Sequence, residues 1–188
     1  LAERIRASEA ESVAVCLLFS FLNPEHEQAI GRRLAAEEGL THISLSSEVL
    51  PEYREYERAS TTAVNAYVSP LLDRYLAGLE AGLGRPIRMM QSNGGSVSSS
   101  ALRKLGVRTI LSGPAGGVTG AFYLARLAGF DQVITLDMGG TSTDVCLCPG
   151  YLPFTVEAEL AGCALRVPMV DIQTVGAGGG SIARPDPG

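Results

Sequence analysis

Two aspartates flank a glycine pair and a run of hydroxyl side chains in one short stretch of the sequence. Gly139 and Gly140 follow an apolar run that ends at Asp137, and a second apolar run begins after Asp144. Glycine permits backbone angles that other residues avoid, and it lets a ligand approach the main-chain N–H groups. Successive N–H groups that point into one concavity bind anions. The stretch therefore predicts a β-hairpin whose turn binds phosphate.

The side chains around the glycine pair extend this chemistry. Three hydroxyls are candidate donors to phosphate oxygens: those of Thr141, Ser142 and Thr143. The carboxylates of Asp137 and Asp144 would repel a bare phosphate unless a divalent cation lay between them, so the pattern indicates Mg²⁺. The simpler alternative is a tight hairpin whose hydroxyls and carboxylates only satisfy turn amides.

A second loop rich in glycine and hydroxyl residues spans residues 92–100 and includes Asn93, Gly94 and Gly95. It follows a predicted strand at residues 87–91. In open α/β sheets, ligands gather at the carboxyl ends of strands, so the loop is a candidate substrate-binding site. A plain solvent-exposed loop is the alternative.

Small residues dominate the start of a helix that we predict from near Pro114 to Gly129. Gly113, Gly116 and Gly117 lie in this segment, although each glycine inside a helix costs about 1 kcal/mol relative to alanine. Such a cost is reasonable where a nucleotide or another element must approach the helix closely. These glycines are therefore candidate nucleotide-binding residues, and a close-packed helix pair without a ligand is the alternative.

Residues 51–58 are dense in charge and open a long predicted helix over residues 53–83. Arg54 and Arg58 lie one helical turn apart, so they share a face and could hold an anionic substrate. The alternative is a solvated face with ion pairs, or a contact with another domain.

The elements that must position these residues follow from hydrophobic periodicity and helix start signals. Residues 2–11 have helical composition, and residues 12–21 predict an apolar strand. Asn23 is predicted to cap a helix that runs to about Glu38. A half-buried strand is expected at residues 43–46, which gives a β-α-β unit with parallel strands.

Three short strands are expected beyond the hairpin, at residues 154–156, 165–168 and 172–175. They precede a glycine run at residues 176–181. This run lacks the full dinucleotide-binding fingerprint, because Ser181 stands where the third glycine should be. It is therefore a weak Rossmann signal.

The composition excludes several classes of protein. The 188 residues are 46% hydrophobic and 19% charged with a net charge of −5, as in ordinary globular domains. The 15 Lys and Arg residues are scattered, which argues against nucleic acid or an anionic membrane as the main partner. The sequence has no run of eighteen apolar residues, so no membrane span is expected. We expect a cytoplasmic location.

The cysteines fit this expectation. Cys16, Cys146, Cys148 and Cys163 lie in apolar, strand-like surroundings and are expected to be small buried hydrophobes. Cys146 and Cys148 would share one face of a regular strand. A metal pair is the alternative there, although no second pair accompanies them.

Several separate motifs resemble the hydantoinase A / 5-oxoprolinase family of the actin-like ATPase superfamily, in the same order. They lie at residues 51–58, 65–67, 91–95, 112–118 and 137–144. The resemblance covers nearly the whole chain. It implies an α/β chain with an actin-like ATPase (ribonuclease H-like) fold, a mixed sheet with flanking helices, incomplete here. Residues 1–110 would end an N-terminal region with a long helix, and residues 111–188 would begin the ATPase domain with its second phosphate motif.

The family pattern has an additional Asp-x-Gly-Gly-Thr loop near the N-terminus, which forms a first phosphate clamp, and further sequence after the glycine run. Neither is present in these 188 residues. We therefore expect an internal fragment of a longer polypeptide, inactive by itself.

The resemblance implies an ATP-dependent subunit that activates a cyclic amide, such as a hydantoin or 5-oxoproline, for hydrolytic ring opening. A hydantoinase B-type subunit or domain would complete the reaction. Gly139 and Gly140 would supply phosphate-binding amides, Asp137 would hold Mg²⁺ through water, and Asp144 would orient the nucleophile or a metal-bound water. The alternatives are an acetone or acetophenone carboxylase-type subunit, a small-molecule kinase, and a non-catalytic nucleotide-responsive module of the chaperone or reactivase kind.

Overall fold

The computed structural model describes residues 2–8, 10–36, 40–160 and 162–184. The chain divides into two compact units. The first contains Leu1–Met89, Ser96–Ile110 and Val156–Pro168, and the second contains Met90–Gly95, Leu111–Thr155 and Met169–Gly188. The chain crosses from the first unit to the second after residue 110, which is the position of the predicted boundary. The assignment of residues 1–110 and 111–188 to two family regions stays a prediction.

Helices and strands alternate in the first half of the chain, and strands dominate the last third. The helices are α1 (Ala2–Ala7), α2 (Glu25–Ala35), α3 (Ser46–Val49), α4 (Glu55–Leu83), α5 (Ser99–Leu102) and α6 (Ser112–Leu127), with a short 3₁₀ helix at Gly106–Thr109. The strands are β1 (Ser12–Val15), β2 (His42–Leu45), β3 (Arg88–Met90), β4 (Ser96–Ser98), β5 (Gln132–Met138), β6 (Thr143–Pro149), β7 (Phe154–Leu160), β8 (Cys163–Val170) and β9 (Gln173–Val175).

The first unit contains the predicted β-α-β arrangement. Strands β1 and β2 pair in parallel, from Ser12 opposite His42 to Val15 opposite Leu45. Helix α2 connects them, and its Leu34 packs with both strands in one apolar core. The N-cap of α2 is Pro24 and not Asn23 as predicted, although the side-chain oxygen of Asn23 accepts a hydrogen bond from Glu25 N at 3.0 Å. The β-α-β prediction is confirmed.

Two details of this unit differ from the predictions. Strand β1 ends at Val15 instead of continuing to residue 21, because the chain turns at Leu17, whose carbonyl accepts a hydrogen bond from Ser20 N. Phe19 takes a positive φ of 58° in this turn, a conformation that no strand residue adopts. Helix α2 is described to Ala35, and the predicted end near Glu38 lies outside the described residues.

Helix α4 is the longest element and packs on β1 and β2 within the first unit. Its buried side is largely polar. Buried polar groups are stable when they are hydrogen-bonded, and Asn65 is an example. Its side-chain amide donates to Ser44 Oγ at 2.9 Å, and its side-chain oxygen accepts from Val107 N at 3.0 Å. The helix ends at Leu83 as predicted, where Gly84 takes a positive φ of 63°.

The second unit is built around an antiparallel sheet with the strand order β5-β6-β9. Helix α6 packs on one face of this sheet. The core between them contains side chains of the helix, of β6 and of β8. Its buried members are Ala115, Val118, Phe122, Cys146, Cys148 and Val170. Helix α6 begins at Ser112, two residues before the predicted start, and ends close to the predicted stop at Gly129.

The opposite face of the same sheet carries large apolar side chains. Alternation along the strands sends them away from α6. In the described part of the chain, Ile134 is 67% exposed, Leu136 and Leu147 are each 63% exposed, and Met138 and Val175 are more than half exposed. We call these five residues the open sheet face. Antiparallel sheets commonly leave one face in water, but that face is then usually polar, and this one is apolar.

The cysteines are only partly as expected. Cys146 and Cys148 are buried with their Sγ atoms 3.9 Å apart, whereas Cys163 is exposed and Cys16 is half-buried. The prediction of burial is therefore wrong for Cys163, which is exposed at the first position of β8 although Leu165 and Val167, on the same side further along the strand, are buried. Burial and the neighbouring Cys148 thiol raise the pKa of Cys146 to about 12. Among the described residues, no helix has the length and hydropathy needed to cross a bilayer.

Candidate phosphate-binding site

The predicted hairpin is present in the second unit. Strands β5 and β6 pair in antiparallel register from Gln132 opposite Pro149 to Met138 opposite Thr143. The loop between them is closed by a hydrogen bond from Gly139 N to Ser142 O at 2.9 Å. The hairpin prediction is confirmed, and the Gly139 N–H is engaged inside the loop.

The two aspartates face each other across this hairpin. Asp137 on β5 lies directly opposite Asp144 on β6. Side chains at directly opposite positions project from the same face of the sheet, with Cβ atoms about 5 Å apart. Thr174, opposite Asp144 on β9, donates its hydroxyl to Asp144 Oδ1 at 2.6 Å. One carboxylate is therefore held by a neighbour, and both can reach a common ion.

This donor set fits Mg²⁺ bound together with a nucleotide. The described residues contain no group of three or more His, Cys, Asp or Glu side chains that could hold a metal ion. Mg²⁺ usually takes one or two carboxylates, several waters and phosphate oxygens, so a complete protein cage is not required. Asp137 and Asp144 are the residues that would hold it.

Helix α6 brings its glycines close to this site within the second unit. A Cβ atom at Gly117 would lie 3.8 Å from Asp137 Oδ2, and one at Gly116 would lie 3.6 Å from Met90 Cε. A Cβ atom at Gly113 would meet no described atom within 4 Å. The predicted close approach therefore occurs at Gly116 and Gly117, while Gly113 has no packing reason to be glycine.

A cleft of about 490 Å³ lies between α6 and β5. Its helical wall consists of Gly117, Val118, Ala121 and Ala125, and its other wall is residues 133–137 of the strand. The small residues of α6 leave this space open as far as Asp137. The cleft therefore ends at Asp137, the carboxylate that precedes the hairpin loop.

The three hydroxyl residues of the loop differ in their surroundings. Thr143 is 6% exposed, and its hydroxyl donates to Ala177 O at 2.6 Å. Thr141 is exposed, and Ser142 is half-buried. Thr143 is thus committed to a structural contact, and Thr141 and Ser142 are the hydroxyls that can meet a ligand.

The glycine run after β9 lies on the hairpin loop, a contact that the sequence did not reveal. Gly179 N donates to Gly139 O at 2.9 Å, and Gly180 N donates to Gly140 O at 3.0 Å. A Cβ atom at Gly178 would approach Gly139 O to 2.6 Å, so only glycine fits there. The three successive glycines at residues 178–180 are the sequence feature that makes this contact possible, although as a motif they resemble only a weak dinucleotide fingerprint.

The backbone angles of the glycine pair also differ from the expectation. The described glycines with positive φ are Gly84, Gly94, Gly129, Gly150 and Gly162. The hairpin pair is not among them, so its backbone angles are not those reserved for glycine. A Cβ atom at Gly140 would meet no described atom within 4 Å, and one at Gly139 would meet only Ser142 O at 3.4 Å, so the close packing requires glycine in the run and not in the pair.

The loop at residues 91–95 packs against α6 in the second unit. Gly94 has a positive φ of 72°, and a Cβ atom there would overlap Thr119 Oγ1. Gly95 N donates to Asn93 Oδ1 at 2.9 Å, and Gln91 N donates to Gly95 O at 2.8 Å. These hydrogen bonds hold the loop as a tight turn. A role of the loop in substrate binding stays a prediction.

The predicted arginine pair of the first unit is separated by its surroundings. Arg58 is fully buried, and its guanidinium donates to Leu17 O at 3.3 Å and to Ser46 Oγ at 2.5 Å. Arg54 is partly exposed and forms ion pairs with Glu57 and Glu157. A substrate cannot reach Arg58 in this arrangement, so the structure places it in the interior. The ion pairs of Arg54 agree with the alternative interpretation, in which this stretch is a solvated helical face.

Glu27 is the buried acid that sequence reasoning missed in this network. It is fully buried, accepts from Ser46 Oγ at 2.6 Å and from Ser47 N at 2.8 Å, and lies 4.0 Å from an Arg58 nitrogen. Burial alone would raise the pKa of Glu27, but the hydrogen bonds outweigh burial and hold that pKa below its ordinary value.

The chain is similar to several characterised proteins over almost its whole length. It is 39% identical to caprolactamase subunit alpha of Pseudomonas jessenii over 187 residues, which are 96% of this chain and 27% of the relative. It is 41% identical to 5-oxoprolinase of Saccharomyces cerevisiae over 184 residues, which are 94% of this chain and 14% of the relative. The chain thus spans about a quarter or less of the length of these relatives.

Two solved structures share the fold. The crystal structure of the ATP-dependent caprolactamase from Pseudomonas jessenii superposes with a TM-score of 0.85 and 37% identity, covering 98% of this chain and 28% of that chain. The nucleotide-free structure of acetone carboxylase, solved to explain ATP-dependent acetone carboxylation, has a TM-score of 0.75 and 31% identity over 99% of this chain and 27% of that chain. The expected α/β fold class, an incomplete actin-like ATPase fold, is confirmed.

Family profiles agree with these similarities. The hydantoinase/oxoprolinase profile matches residues 58–188, which include the hairpin, α6 and the glycine run. The profile of the hydantoinase/oxoprolinase N-terminal region matches residues 1–38. The chain therefore belongs to the hydantoinase/oxoprolinase family.

Proposed function

We propose that this chain is part of an ATP-dependent enzyme that opens cyclic amides, and that the β5–β6 hairpin binds the phosphates of ATP. The observation that carries the proposal is the pair of opposed carboxylates, Asp137 and Asp144, beside a loop without side chains at Gly139 and Gly140. The names of the relatives, 5-oxoprolinase and caprolactamase, support a cyclic amide as the substrate class.

Each residue has a distinct role in this proposal. Asp137 and Asp144 hold Mg²⁺, and Asp144 also orients the nucleophile. Backbone N–H groups of the glycine loop and the hydroxyls of Thr141 and Ser142 bind phosphate oxygens. Gly117 lines the cleft and, without a side chain, leaves room for a ligand beside Asp137, while Gly116 packs against Met90. Positioning and charge neutralisation are what phosphoryl transfer chiefly requires of a protein.

ATP supplies a phosphoryl group that makes the amide carbon a better electrophile for water. The residues of this chain provide one side of the nucleotide site. We propose that a hydantoinase B-type subunit or domain completes the enzyme, because one relative is itself named as a subunit alpha. We also propose a cytoplasmic location, which the four free cysteines support.

The test is Mg²⁺-dependent nucleotide binding by the full-length protein. Asp137→Asn and Asp144→Asn should each weaken Mg·ATP binding at least about 10-fold, because each removes a carboxylate from the ion. Asp131→Asn is the matched control, since Asp131 is exposed and pairs only loosely with Arg126 at 3.6 Å. Equal affinity in all three variants, measured by calorimetry, would contradict the proposal.

A ketone carboxylase subunit is the second candidate. The observation that favours it is the similarity to the acetone carboxylase structure. The two candidates differ in product, because one consumes water and opens a ring while the other joins bicarbonate to a ketone. Product analysis of the full-length protein with each substrate class and ATP distinguishes them.

A further inference from the structure

The glycine run fixes the direction of two successive peptide groups in the hairpin loop. The carbonyls of Gly139 and Gly140 point toward the run, because they accept hydrogen bonds from Gly179 and Gly180. In a trans peptide, the N–H points opposite to the C=O of the same unit. The N–H groups of Gly140 and Thr141 therefore point away from the glycine run, side by side.

A ligand can use these two N–H groups. In the described part of the chain, neither donates to a protein acceptor, whereas Gly139 N donates to Ser142 O. Two successive N–H groups with a common direction form an anion-binding concavity. The loop thus has its anion-binding geometry before any ligand arrives.

The glycine run is attached to strand β6 at its start and is closed by a hydrogen bond of its own at its end. Thr143 Oγ1 donates to Ala177 O at 2.6 Å, and Gly178 N donates to Ser181 Oγ at 3.0 Å. A Cβ atom at Gly178 would lie 2.8 Å from both Gly140 C and Thr141 N. Contacts that short do not occur, so an alanine at Gly178 must push the run off the loop.

We propose that residues 177–181 are the positioning element of the phosphate site, which presents the N–H groups of Gly140 and Thr141 to a phosphate of the nucleotide. This inference rests on the proposed function, because it names the part of the chain that shapes that same site. The glycine run does not touch the phosphate in this proposal. It acts by holding two carbonyls of the loop.

The experiment compares Gly178→Ala with Gly176→Ala in the full-length protein. Gly176 is the matched control, because a Cβ atom there would meet no described atom within 4 Å. Two quantities are measured: the affinity for Mg·ADP by calorimetry, and amide hydrogen exchange of Gly179 and Gly180. The exchange readout needs no nucleotide, so it reports on the contact independently of the proposed function.

We expect Gly178→Ala to weaken Mg·ADP binding about 10- to 100-fold, since hydrogen bonds to a charged group are lost or misdirected. The amides of Gly179 and Gly180 should lose protection in the same variant, while Val133 on β5 stays protected. Gly176→Ala should match the wild type in both measurements.

A milder variant keeps the test meaningful if Gly178→Ala does not fold. Ser181→Ala removes only the hydroxyl that accepts from Gly178 N, at an exposed position, and should weaken binding about 5-fold. Wild-type affinity in both Gly178→Ala and Ser181→Ala would overturn the inference alone. A wild-type protein that binds no nucleotide would overturn the proposed function, and the inference with it.

Discussion

The carboxylate of Glu27 and the guanidinium of Arg58 are both fully buried and bind the same two hydroxyl groups, those of Ser20 and Ser46. The two charged groups come from α2 and α4 of the first unit. Their shared hydroxyls lie in the turn after β1 and at the start of α3. This network therefore ties four segments of the unit together through one charge pair.

Removing one charge should destabilise the protein more than removing both. Arg58→Met leaves the Glu27 carboxylate buried without its cation, and we expect a loss of about 3–5 kcal/mol in the free energy of unfolding. Adding Glu27→Gln to this variant should recover part of the loss, since no uncompensated charge then remains. Urea unfolding of the single and double variants measures the difference. A double variant that loses the full sum would show that the charges act independently.

The same network predicts a dependence of stability on pH. The pKa of Glu27 in the folded protein lies below the ordinary value of 4.5, because of its hydrogen bonds. The unfolded chain therefore binds this proton more readily than the folded chain does. Its contribution to the free energy of unfolding is complete above the unfolded pKa and is lost as the pH falls through the folded pKa. Glu27→Gln should show a flatter curve of stability against pH than the wild type below the ordinary glutamate pKa of 4.5.

The cysteines should react at different rates in the native protein. Cys163 is exposed, and we expect a maleimide to modify it quickly. Cys146 and Cys148 should stay unmodified until the protein unfolds, because burial raises the pKa of Cys146 to about 12 and only the thiolate reacts readily. Peptide mapping by mass spectrometry assigns the sites, and Cys163→Ser should remove the fast phase. Rapid modification of Cys148 would mean that α6 does not cover the sheet.

The hydroxyl of Thr174 should act through Asp144. Thr174→Val removes the hydrogen bond to Asp144 Oδ1, so the carboxylate loses its fixed direction. We expect the apparent affinity for Mg²⁺ in the presence of ATP to fall about 10-fold, as is usual when a ligand loses its supporting hydrogen bond. Thr174→Ser keeps the hydroxyl and is the control. The same Mg²⁺ dependence in both variants would show that Asp144 needs no support.

The sequence predicts the elements whose signals are local. The β-α-β unit, helix α4 and the hairpin all follow from hydrophobic periodicity, a helix start signal near Pro24 and glycines at turns. The antiparallel register that sets Asp137 opposite Asp144 comes from the structure, because the sequence alone leaves the pairing register of the two strands open.

Contacts between distant segments are what the sequence does not show. Arg58 looks like a member of a charged helical face, and its burial depends on Glu27 and on two hydroxyls from other segments. The glycine run has no signal of its own that points to Gly139 and Gly140. Only the three-dimensional arrangement shows that two stretches without side chains stack on each other.

The open sheet face bears on how this polypeptide behaves in solution. Its five apolar side chains, from Ile134 to Val175, form a contiguous surface that lowers its free energy whenever it leaves water. The net charge of −5 opposes close approach only weakly at physiological ionic strength. The 188-residue chain, prepared alone, should therefore scatter more light as its concentration rises. Leu136→Lys and Leu147→Glu should raise its solubility without touching the phosphate loop.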